Sequence, residues 1–72
     1  MSVTTLATVQ DELARLQREL ADVSGQIGNV ARMEAYAYDE KQLAEYGALL
    51  AVLESQKDSL KNQIAFLKDE LQ

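Results

Sequence analysis

Apolar residues recur at alternating three- and four-residue steps through most of this chain, and that beat restricts the fold more than any other feature. Over positions 43–71 it is kept by Leu43, Tyr46, Leu50, Leu53, Leu60, Ile64, Leu67 and Leu71, with Lys57 the one polar residue in step. Such spacing lays a stripe along one side of a helix, at positions a and d of a heptad. A stripe of that kind is stable only when another helix covers it. The first half of the chain does the same. Leu6, Leu13, Leu20 and Ile27 take position a, and Val9, Leu16, Val23 and Val30 take position d, for four heptads without a polar interruption.

The beat stops at Glu34 and resumes at Leu43 with its phase slipped by two residues, a slip that neither one stutter nor one stammer produces. Just before it resumes, Asp39 followed by Gln42 has the form of an N-cap with its capping-box partner. Ser2, Thr4 and Thr5 are the candidate caps for the first helix. The expectation is an all-α fold, an antiparallel hairpin of two long helices forming one domain over 1–72. The first helix covers about 4–35, the turn about 36–39 and the second helix about 40–71. Folding the chain about its midpoint opposes Leu6 with Leu67, Leu13 with Leu60, Leu20 with Leu53 and Val30 with Leu43. It sets Lys57 opposite Leu16, near Glu12 and Glu19. One continuous helix in a parallel coiled coil is the rival, and the phase slip counts against it. Gly25 and Gly28 each cost about 0.8–1 kcal/mol inside a helix. Because Val23, Ile27 and Val30 carry the beat across them, helix is favoured there over a turn.

The flanks of the seams suggest more than one neighbour. On the first helix one shoulder is small, with Ala7, Ala14, Ala21 and Gly28, while the other carries Glu12, Arg15, Glu19 and Asp22. On the second, Leu49 and Val52 lie off the seam beside Ala44, Gly47, Ala48 and Ala51, so residues 43–53 are apolar nearly all round. A helix of that character is covered on every side. These features lead to self-association as a homodimer or higher oligomer, with a homodimer of two hairpins in a four-helix bundle as the leading form. Its interface is expected to draw on Leu43, Tyr46, Leu49, Leu50, Val52, Leu53 and Phe66, with Ala14 and Ala21. Lys57 is a candidate for setting register from a core position, against the alternative that its stem snorkels to water. Met33, Tyr36 and Tyr38 put soft and aromatic surface at the hairpin tip, either as a partner contact or folded over the last core layer.

Composition narrows the function classes. With no Cys and no His, disulfides, thiol chemistry and the usual zinc sites are excluded, and catalysis lacks its commonest nucleophile and base. Glu34, Asp39, Glu40 and Glu45 cluster near the turn, but without the alternating spacing of a calcium loop. The expectation is therefore no enzyme, no cofactor and no metal. A net charge of −5, with seven cations scattered among twelve acids, argues against nucleic acid, which needs a clustered basic surface. The longest apolar run, residues 48–53, is far below the roughly 18–20 needed to span a membrane. Nor do the first residues form a basic-then-apolar leader, so a cytoplasmic or virus-encoded protein is expected.

A chain of 72 residues buries only about 60% of its unfolded surface and gains from association. The function expected is a non-enzymatic structural or interaction module that self-associates. The alternative is a small adaptor, chaperone or inhibitor that binds a helix of another protein and is partly folded when free. Paired helices of this size occur in small secretion chaperones, in phage assembly or regulatory proteins and in transcription-related dimerisers. That analogy concerns architecture alone.

Overall fold

A computed structural model describes residues 3–71, with side chains described for 6–71. Two helices, α1 (Val3–Tyr36) and α2 (Glu40–Leu71), fold back on each other as a hairpin and leave only residues 37–39 between them. Thr4 and Thr5 lie within α1 rather than ahead of it, and Ser2 and the side chains of residues 3–5 lie outside the described part. Gly25 and Gly28 are both helical, and no glycine takes a positive φ. The unbroken beat across them therefore overrides their weak helix propensity.

The turn is short and capped from one side. Ala37 N–H donates to the Glu34 carbonyl at 3.2 Å, tightening the end of α1. Asp39 then starts α2: its Oδ1 accepts from Lys41 N–H at 3.0 Å, and its carbonyl accepts from Leu43 N–H at 3.0 Å. This is N-cap geometry, which satisfies one of the orphan donors of a helix start. The reciprocal bond from Gln42 is not among the hydrogen bonds of the described residues. Glu40 in the first turn of α2 and Lys68 in its last both oppose the helix dipole favourably.

The hairpin is one layer thick. It measures 56 × 14 × 13 Å, with a radius of gyration of 16.6 Å, against about 11 Å for a compact domain of this length. Its buried residues, Leu16, Val30, Leu53, Leu60 and Ile64, all belong to the apolar seam. Leu16 is the most enclosed at 3% exposure, and it shares a cluster with Leu60 and Ile64 against which Leu13, Leu20, Val23 and Leu67 pack.

That cluster corrects the pairing expected from the sequence midpoint. Leu16 meets Leu60 and Ile64 rather than Lys57, and Glu34 of α1 approaches Gly47 of α2. Both observations place the partner residues about one heptad further along α2. The turn is centred on Tyr38 instead of between Tyr36 and Ala37, while Tyr36 stays helical, and this alone moves each partner about three residues along α2. Layers of a against d stay in step only for whole-heptad shifts, so the seam settles into the next one. Val9 and Leu71, both half-buried, then lie at one level, and Leu6 is left near the end with 39% of its surface exposed.

Candidate functional site

The seam divides the hairpin into two broad flanks of different chemistry. On the first, Glu19, Asp22 and Val23 of α1 and Gln56, Ser59, Leu60 and Gln63 of α2 line a shallow groove. A second groove on this flank runs between Glu12 and Leu16 and the residues Asn62, Gln63, Phe66 and Leu67. Leu49 and Val52 precede Gln56 and Ser59 by seven residues, and Phe66 follows Ser59 by seven, so all lie on one stripe of α2. Between Leu49 and Phe66 the stripe carries no charge, and the same seven-residue steps continue it to Glu45 on one side and Glu70 on the other. Its apolar members are open to solvent, with Leu49 43%, Val52 55% and Phe66 65% exposed.

The α1 side of this flank is a charged ladder. Arg15 donates from Nη1 to Glu19 Oε1 at 2.8 Å and from its other amino group to Glu12. The hydrogen bond with Glu12, followed by the charges of Glu12 and Glu19, raises the guanidinium above its ordinary pKa. All three side chains are substantially exposed, so solvent screens the pairs and they contribute little to stability. On the opposite flank Ala7, Ala14, Ala21 and Gly28 are exposed at seven-residue intervals.

The residues expected to form one interface are therefore distributed over three places. Leu53 is buried in the seam, Tyr46 and Leu50 are half-buried beside it, and Leu43 sits at its edge. Leu49, Val52 and Phe66 face outward on the first flank, while Ala14 and Ala21 lie on the second. Lys57 is half-buried near the level of Val23, forms no ion pair among the described residues, and Glu12 and Glu19 are occupied by Arg15.

At the tip, Tyr38 is 96% exposed and Tyr36 also stands largely clear of the core. Arg32, Met33, Tyr36, Ala37, Gln42 and Tyr46 border a shallow depression there. Sequence reasoning missed one contact. Glu34 is half-buried where the seam should hold an apolar residue, and its Oε2 would lie 3.7 Å from a Cβ on Gly47. The signal was an acid in an a position facing a helix that carries a glycine beside its seam. Among the described residues no group of three or more His, Cys, Asp or Glu side chains is arranged to hold a metal ion, and no helix is long and apolar enough to cross a membrane. Comparison with protein-family models, with curated protein sequences and with solved structures found no match.

Proposed function

We propose that this chain is a non-enzymatic interaction module whose working state is a pair of hairpins joined in a four-helix bundle. Surface area carries the reading. The hairpin exposes 5315 Å², whereas a compact folded chain of 8.0 kDa exposes about 4,450 Å². The excess, roughly 850 Å², is close to the ~800 Å² that each partner buries in a stable protein interface. A single layer of two helices is also half of the two-layer packing from which domains are ordinarily built. The absence of Cys suits a reducing compartment such as the cytoplasm of a cell or of an infected host.

Light scattering across a concentration series tests this. A dimer with reversible dissociation at low concentration is expected; a strict monomer that is fully helical and melts sharply would refute the bundle. The second reading is an adaptor that takes a helix from a different protein, and the exposed Tyr36 and Tyr38 at the tip favour it. Under that reading the free chain is a loosely packed monomer until its partner is added.

A further inference from the structure

We infer that the stripe Leu49, Val52, Gln56, Ser59, Gln63 and Phe66 is a self-complementary surface on which a second copy of this chain docks with its hairpin pointing the opposite way. The inference rests on the self-association proposed above and adds to it a flank and an orientation. Its basis is the order of residues along the stripe. A two-fold axis passing between positions 57 and 58 of two antiparallel α2 helices sets Leu49 opposite Phe66 of the second copy, Val52 opposite Gln63 and Gln56 opposite Ser59. Leu49 near the tip of one hairpin thus meets the exposed ring of Phe66 near the open end of the other, at both ends of the contact. Val52 lies against Gln63 inside it, and Glu45 faces Glu70 at the solvated margins. Neutral, hydrogen-bonding side chains meet at the middle. An isologous contact requires this sort of palindromic match.

Charge selects the orientation. Were the hairpins parallel, the uncharged stripe of one copy would lie on the ladder of Glu12, Arg15, Glu19 and Asp22 of the other. The acids would lose water there without gaining a cation, since Arg15 is already engaged by Glu12 and Glu19 on its own helix. In the antiparallel arrangement α2 lies against α2, and the two ladders sit beside each other along the border. Asp22 comes near its own symmetry mate there, which keeps that side open and hydrated. The result is a dry contact between α2 helices and a polar rim from α1, the usual anatomy of an interface. The excess exposed area is of the size that such a contact buries.

Because the chain has no cysteine, single-cysteine variants test the geometry directly. Full-length Val52→Cys and Gln63→Cys chains are mixed in equal amounts and oxidised. The mixed disulfide should be the main product, since the two sites fall opposite each other. Like-with-like pairs would be about 16 Å apart at 1.5 Å per residue, beyond the ~7 Å that a disulfide spans between Cα atoms. Ala14→Cys with Ala21→Cys reports on the opposite flank in the same way. In parallel, Phe66→Glu should convert the dimer to a helical monomer, while Ala21→Glu leaves it associated. A dimer that cross-links through positions 14 and 21, and dissociates with Ala21→Glu instead, overturns the stripe but leaves self-association standing. A wild-type chain that remains monomeric by light scattering overturns both.

Discussion

Gly25 and Gly28 occupy the outer side of α1, and nothing lies within 4 Å of where a Cβ on either would be. Replacing either with Ala should stabilise the hairpin by about 0.5–1 kcal/mol, read as a higher urea midpoint with an unchanged slope. Gly47→Ala brings its new methyl only into ordinary contact with the Glu34 carboxylate at 3.7 Å. Asp39 acts in the other direction. Its carboxylate is the acceptor for Lys41 N–H at the start of α2, and Asp39→Ala should destabilise by about 1 kcal/mol, measured in the same denaturant series. The cap was legible because Asp is among the few side chains short and polar enough to serve there. The missing reciprocal bond from Gln42 was not legible, since a side chain on an exposed first turn has water as an equal partner.

Between the two helices, the apolar beat of the sequence named the seam correctly: Leu16, Val30, Leu53, Leu60 and Ile64 are its buried members. The stop at Glu34 and the cap at Asp39 located the turn. Register was another matter. Heptads repeat, so sliding one helix by seven residues restores the same a-against-d layers, and sequence spacing alone cannot choose between them. The turn chose, through which residues it used. A helical wheel likewise does not say which shoulder of α1 faces which shoulder of α2. The slide also gives Lys57 a new setting near Val23, without an acid partner among the described ion pairs. Lys57→Leu should raise the melting temperature, since it restores the last apolar step of the α2 seam, and should broaden the distribution of oligomers if the lysine fixes register. A more stable variant with one unchanged oligomeric state removes that role, with sedimentation velocity as the readout.

For the whole molecule, a net charge of −5 means that bringing two copies together accumulates like charge, which salt screens with a Debye length of about 10 Å at 0.1 M. Association should therefore tighten when salt is raised from low to moderate concentration, the opposite of what an interface built on ion pairs gives, and a titration by light scattering reads the sign. The three-residue turn has a wider consequence. It contains neither Gly nor Pro, and no described residue takes a positive φ, so its backbone is also compatible with helix. What holds the bend is chiefly the contact between α1 and α2, and a second chain can supply the same contact in reverse. An opened chain is a hinge at full extension: two of them can exchange arms and rebuild every layer of the seam twice over. Concentrated or slowly refolded protein is accordingly expected to trap such exchanged pairs, which have the mass of a dimer of hairpins but a more elongated shape that sedimentation velocity resolves, and which are slow to revert on dilution.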